Sequence, residues 1–334
     1  MENTGNLPQK GHLDWVDAVK GFAIILVVIG HSWRGIYSGG MLDDALFQAL
    51  DSRIYAFHMP LFFMVSGLFF TRSLTRAPVG KFITSRVMRL LYPMLLWTYI
   101  FILVKLAAGS AANTPLDVSE LYQSPIPGRW HFWFLWALLL IQLAFIALRG
   151  LLRDPAQAQK ILFFVLGAAV LIQLIPLSGD VYFWIGPAIR MVPYFILGMV
   201  LGPWIKTAQI PTTMGWAAGL CFGLCGVALP WLGTSIFHQL GIGTFLSALC
   251  LIAFCAWFGS GRHAPQWLVL LGQASMAIYL THTIFSATVR EVLQALGVEN
   301  ISVHLLLGGL AGLVPPLVLY FIARRTRTQK LVGF

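Results

Sequence analysis

The sequence predicts an all-α, polytopic integral membrane protein of about ten transmembrane helices, with both termini in the cytoplasm. Three observations predict it. Of the 334 residues, 58% are hydrophobic and only 10% charged, whereas a soluble globule carries about 25% charged residues. The apolar residues gather into ten runs, each close to the roughly 20 residues that cross a bilayer as a helix. Most of the basic residues fall on one side once those runs are threaded through a membrane.

The first span, 16 to 33, leads into a charged loop and a second long run rather than a small-residue cleavage site, so it is a retained helix and not a secretory signal. In the connection that follows, 34 to 52, "DDALFQALDSR" reads as a short interfacial helix. The second span, 53 to 70, contains "YAFHMPLFFMVSGLFF", and a basic loop, 71 to 86, leads into the third, 87 to 108. Residues 109 to 129 read as loop from the Pro, Ser and Asn of "NTPLDVSELYQSPIPGR". The fourth span, 130 to 148, opens on "WHFWFLW"; the fifth and sixth run from 160 to 177 and 184 to 205. In the seventh, 214 to 233, Gly215, Gly219 and Gly223 recur on one face and suit close helix packing. The eighth, ninth and tenth cover 240 to 258, 266 to 286 and 302 to 323. No repeat or soluble segment divides the chain. It is expected to form one membrane-embedded domain over 1 to 334, with a cytoplasmic tail at 1 to 15 and a basic cytoplasmic tail at 324 to 334.

The net charge of +10 would suit nucleic acid, but its placement argues otherwise. Lys10, Lys20, Arg72, Arg76, Lys81, Arg149, Lys160, Lys206, Arg262 and Arg324 share the inner side, while Asp43, Asp44, Asp51, Asp117, Glu120 and Asp180 share the outer. That is the positive-inside pattern, and the expected partners are membrane lipids, not nucleic acid. The four cysteines, Cys221, Cys225, Cys250 and Cys255, lie within apolar runs as small hydrophobes. They suggest neither a disulfide framework nor a zinc site, and no metal is expected.

The chemistry is expected where ionisable residues interrupt apolar runs, because charge at bilayer depth is costly and marks cavities or partners. Lys20 and His31 are eleven residues apart, which returns nearly to the same helix face about 16 Å along the axis. Asp17, three residues before Lys20, shares that face. Taken alone, Lys20 fits a snorkelling lysine. His31 has company: His58, His131, Arg190 and His282 are placed by the same topology in the outer part of the bilayer on other spans, which predicts a shared polar chamber. His131, between Trp130 and Trp133, also fits an interfacial aromatic belt. On the inner side, Arg86 and Arg89 stand three apart in "FITSRVMRLLYP", expected to point the same way, and paired guanidiniums suit phosphate.

At these residues the chain resembles the membrane acyltransferase-3 family, which includes the sugar O-acetyltransferases of bacterial envelopes. "VDAVKGFAIILVVIGH" fits the family's R/K-x10-H pattern as Lys20 to His31, with Lys where many members have Arg. "RVMR" fits its RxxR pattern as Arg86 and Arg89. "FHMPLFFMVSGLFF", "HFWFLWALLL", "VPYFILG" and "SMAIYLTH" extend the likeness over nearly the whole chain, and the family's ten-helix core agrees with the spans above. The soluble domain that some members attach is not seen here, so acceptor recognition is expected from the membrane core and its outer loops.

The resemblance implies transfer of an acetyl or other acyl group from cytoplasmic acetyl-CoA to a hydroxyl of an envelope polysaccharide sugar or its lipid-linked precursor, in a multi-pass protein of the bacterial inner membrane. It implies that His31 is the essential histidine and that Arg86 and Arg89 hold the acyl-CoA phosphates. The pantetheine arm is then expected to run up a channel beside the Lys20 to His31 stripe, with Asp17 and Lys20 at its entrance. His31 would take the hydroxyl proton or carry the acyl group. His58, His131, Arg190 and His282 are expected around the substrate, with Arg190 or His282 donating to the oxyanion. The alternative is a secondary transporter or flippase with a buried His/Arg relay.

Overall fold

The computed structural model describes residues 14–109, 113–123, 125–176, 178–207, 210–228, 236–259 and 263–334. Lys10, Arg262, most of the expected N-terminal tail and the end of the seventh span lie outside the described residues. The elements are α1 (Asp14–Ser38), α2 (Asp44–Tyr55), α3 (His58–Gly67), α4 (Phe70–Arg76), α5 (Val79–Arg86), α6 (Tyr92–Ala108), α7 (Glu120–Gln123) and α8 (Trp133–Ala144). They continue as α9 (Pro155–Leu171), α10 (Gly179–Thr207), α11 (Thr212–Ala228), α12 (Ile236–Phe258), α13 (Gln266–Gln273), α14 (Ser275–Ala295), α15 (Ile301–Arg325) and α16 (Gln329–Val332). There is no strand among the described residues.

Among the described residues, eight segments are long and apolar enough to cross a membrane, and α13 with α14 makes a ninth although the pair is bent by 80°. The expected seventh span corresponds to α11, whose 17 residues fall short of a full crossing within the described part. The interfacial helix expected in the first connection is α2, capped by the Asp43 carboxylate, which accepts from the Leu46 N–H at 2.7 Å. Its neighbours α3 and α4 continue the same apolar stretch with breaks after residues 55 and 67. The α4 carbonyls left over at its C-terminus accept from the Arg149 guanidinium, through Leu74, Thr75 and Ala77 at 2.9, 3.2 and 2.6 Å.

Between α5 and α6 the backbone widens into a π turn, Val87–Leu91, in which the Tyr92 N–H reaches back to the Val87 carbonyl. Pro93 accounts for it locally: it has no N–H to offer the Arg89 carbonyl four residues earlier, and its ring would press on that carbonyl in a regular α-helix.

α1 is the central element, in contact with α2, α3, α12, α13, α14 and α15. Its closest neighbour is α13, and two glycines explain how the backbones meet. A Cβ on Gly272 would stand 1.8 Å from the Asp17 carbonyl oxygen, and one on Gly21 would stand 2.1 Å from that of Leu268. Of the glycine stripe on α11, Gly215 and Gly219 pack against Trp257 of α12, while Gly223 faces open space. Large apolar side chains such as Phe164, Trp216 and Leu306 remain exposed on the outer helices, as a lipid-facing surface requires.

Candidate active site

A cavity of about 680 Å³ opens beside the second half of α1. His31 lines it, together with His58 of α3, His131 just before α8, Tyr55 of α2 and Tyr279 and Thr283 of α14. The ring centroid of His31 lies 6.0 Å from that of His131 and 6.3 Å from that of Tyr55. Tyr55 and His58 meet edge to face at 4.5 Å. The expected convergence of histidines at one level is therefore present. It arises because α1, α3 and α14 each place an imidazole at the same height, while the Tyr279 hydroxyl ties α14 to the chain entering α8 by donating to the His131 carbonyl.

Two of these rings have their tautomers set by the backbone. The Nδ1 of His58 lies 2.6 Å from the Ile54 carbonyl, and that of His282 lies 3.0 and 2.8 Å from the carbonyls of Ile278 and Tyr279. A carbonyl only accepts, so each Nδ1 carries the hydrogen and each Nε2 of the neutral ring holds a lone pair. His282 is fully buried, 5.0 Å ring to ring from His31, but it is not part of the cavity lining. It sits behind His31, and as a neutral ring its Nε2 accepts rather than donates. That removes it from the oxyanion-donor position that depth alone gave it.

Arg190 does not join the chamber. On α10, Ala188, Phe195 and Met199 take the buried stripe, and Arg190, about 200° round from Ala188, is exposed. Its guanidinium lies 5.0 Å from the Tyr182 ring, beside a separate cavity of about 330 Å³.

The cation at the chamber is one that sequence reasoning misses, Arg34. Its Nε and Nη2 donate to the two Asp51 oxygens at 2.7 and 2.9 Å, a bidentate pair, and its guanidinium lies 3.3 Å over the Tyr55 ring. Arg34 stands three residues after His31, on the same face. That spacing is visible in the chain, but a first span drawn to end at residue 33 leaves Arg34 to the connection that follows. The hydroxyls of Tyr55 and Thr283 and the Nε2 of His131 are buried with no hydrogen-bonding partner among the described residues. Buried polar atoms left unmatched are costly, and clustered on a cavity wall they are suited to a ligand's hydroxyls and carbonyls. Trp130, also on that wall, has φ of 48°, a left-handed conformation that is strained for a bulky residue.

At the other end of α1, Lys20 and the buried Asp17 form an ion pair at 2.5 Å, and neither lines the cavity. Arg86 and Arg89 also lie away from it. Arg86 is half-buried, donates to the Ser73 hydroxyl and stacks 4.7 Å from the Phe82 ring, while Arg89 is exposed.

The open channel expected along the α1 stripe is likewise not formed among the described residues. The cavity lining on α1 stops at Val27, and below it Ile24, Met94 and Ala277 are buried to within 1% in the apolar cluster. The stripe between Lys20 and Val27 packs against the core instead of bordering water.

Comparison with known proteins identifies the family. The acyltransferase domain family matches residues 13–324. Nodulation protein NolL of Sinorhizobium fredii (strain NBRC 101917 / NGR234) is 31% identical over 222 residues, 64% of this chain and 54% of the relative. Nodulation protein NolL of Mesorhizobium japonicum (strain LMG 29417 / CECT 9101 / MAFF 303099) is 28% identical over 261 residues, 76% and 59%. The chain thus spans between half and three fifths of the length of these two relatives. The inner membrane protein YcfT of Escherichia coli (strain K12) is 25% identical over 312 residues, 84% of this chain and 83% of the relative. No solved structure matches. With nearly every residue from α1 to the end of α15 inside the family match, this chain belongs to the membrane acyltransferase-3 family.

Proposed function

We propose that the protein is an inner-membrane O-acyltransferase that moves an acetyl group from cytoplasmic acetyl-CoA to a hydroxyl of an envelope polysaccharide sugar or of its lipid-linked precursor. The observation that carries this reading is His31 on the wall of a cavity large enough for a sugar, beside three buried polar atoms with no partner among the described residues.

In the proposed reaction the neutral His31 imidazole takes the proton of the acceptor hydroxyl as its oxygen attacks the thioester carbonyl. The tetrahedral oxyanion accepts from the Tyr55 phenol, a donor held in place under Arg34. The C–S bond then breaks, the imidazolium returns its proton to the departing thiolate, and the ester remains on the sugar. His282, behind His31, acts as a positioning residue. Arg34, locked to Asp51, keeps Tyr55 in place.

The donor's phosphates are assigned to Arg86 and Arg89 on the basic face, with the Asp17–Lys20 pair beside the arm's path. Arg86 and Lys105 are 19 residues apart on the α5–α6 rod, about 28 Å at 1.5 Å per residue, so the two faces stand roughly a bilayer apart. The arm must therefore part the apolar floor around Ile24 and Met94, and a floor that closes between turnovers keeps the membrane sealed.

The transporter reading predicts substrate movement without donor consumption. The acyltransferase reading predicts that envelope glycans from cells lacking the gene are lighter by an acetyl group on each modified residue, seen by mass spectrometry. Glycans of unchanged mass and ester content would count against it.

A further inference from the structure

The mouth of the chamber carries three cations, Arg34, Lys105 and Arg290, and one anion, Glu291, among its lining residues. Their pairing is uneven. Arg34 is engaged by Asp51. Arg290, with a side chain only 12% exposed, donates from Nη2 to Glu291 at 2.9 Å. With its amide turned to the orientation that satisfies both neighbours, Asn113 completes that group, its nitrogen donating to Glu291 at 2.9 and 3.1 Å and its oxygen accepting from the Arg290 Nε at 3.2 Å. Lys105 has no carboxylate within ion-pairing distance among the described residues. Its ammonium donates to the Thr114 hydroxyl at 2.5 Å and lies 5.6 Å from the Phe101 ring. One of its three hydrogens is thus committed, and the other two have no hydrogen-bonding partner among the described residues. Counting Asp51, three positive charges face two negative ones.

We propose that this mouth is an anion site, in which Lys105 and Arg290 receive a carboxylate or phosphate carried by the acceptor. The proposal rests on the acyl-transfer function given above and adds the acceptor's charge to it. Gly35 fixes the distance. A Cβ there would stand 2.0 Å from the Arg290 Nη1, so that guanidinium lies directly against α1, one turn beyond His31. The four residues from His31 to Gly35 rise about 6 Å, close to the width of a sugar ring. An acidic group held at the mouth therefore leaves a hydroxyl of the same or the adjoining sugar at the His31 imidazole. Phe101, Val104 and Trp130 line the same wall, and their apolar surface strengthens the attraction between the surplus cation and an entering anion.

Binding rather than turnover tests this, so that the anion site stands or falls separately from the acyl-transfer reading. The purified protein in phosphatidylcholine nanodiscs is titrated with methyl glucoside, methyl glucuronide and glucose 6-phosphate, and affinity is read by thermal shift. The expected result is at least tenfold tighter binding of one or both acidic probes than of the neutral glucoside, with the carboxylate and phosphate arms showing which anion is preferred. Lys105→Gln should remove that preference and Lys105→Arg should keep it, with the preference weakening as salt is raised. Failure of both acidic probes to bind more tightly than the glucoside, or a preference that survives Lys105→Gln, would overturn the proposal. Consumption of acetyl-CoA by the same preparation reports independently on the acyl-transfer reading.

Discussion

The hydroxyls of Tyr55 and Thr283 are buried without partners among the described residues, which separates what they do for folding from what they do for a ligand. Tyr55→Phe keeps the ring under Arg34 and removes only an unmatched group. Thermal stability should be unchanged or raised, while kcat should fall about a hundredfold to a thousandfold with little change in the acceptor KM, as expected when one oxyanion donor is lost. A lower melting temperature with unchanged kcat would assign the hydroxyl to the fold. Asp51→Ala should behave in the opposite way and cost about 1 kcal/mol of stability, the low end for a charged hydrogen bond because the Arg34 side chain keeps 43% exposure. The four histidines were legible in the sequence because an imidazole inside an apolar run stands out. Tyr55, Thr283, Lys105 and Arg290 were not, since tyrosines, threonines and cations near helix ends are ordinary there. Arg190 misled because depth in the membrane says nothing about which way round the helix a side chain faces.

The helix pairing depends on backbones in contact. Gly272→Val would drive a side chain into the Asp17 carbonyl, with nothing flexible to yield, and should cost about 3 kcal/mol or more. Gly309→Ala, on α15 where no atom lies within 4 Å of the added carbon, should be neutral or better in the same melting assay. Equal effects of the two would contradict the close packing of α1 on α13. Hydropathy located nearly every span, because apolar length is what crossing a bilayer demands. It missed the breaks after Tyr55 and Gly67 and the bend at Ala274, which fall inside unbroken apolar stretches where composition does not change. The π turn before α6 was readable only in retrospect, from Pro93 placed four residues after Arg89.

Across the molecule, the basic face around α4 and α5 and the mouth of the chamber lie at opposite ends of α6, and the proposed topology turns the first toward the cytoplasm. With the four native cysteines replaced, Val118→Cys should react with a membrane-impermeant maleimide in intact cells, and Lys81→Cys only after permeabilisation. The reverse pattern would invert the proposed topology. Neither the chamber's existence nor its closed floor follows from charge placement; both come from side chains of α1, α6, α8 and α14 that meet only in three dimensions. The central claim is that His31 is the base in that chamber. Acetyl transfer from radiolabelled acetyl-CoA by the purified protein tests it most directly, comparing the native chain with His31→Ala of matched melting temperature. The claim predicts a loss of about a hundredfold to ten-thousandfold in kcat; a variant that is folded and retains its turnover would contradict it.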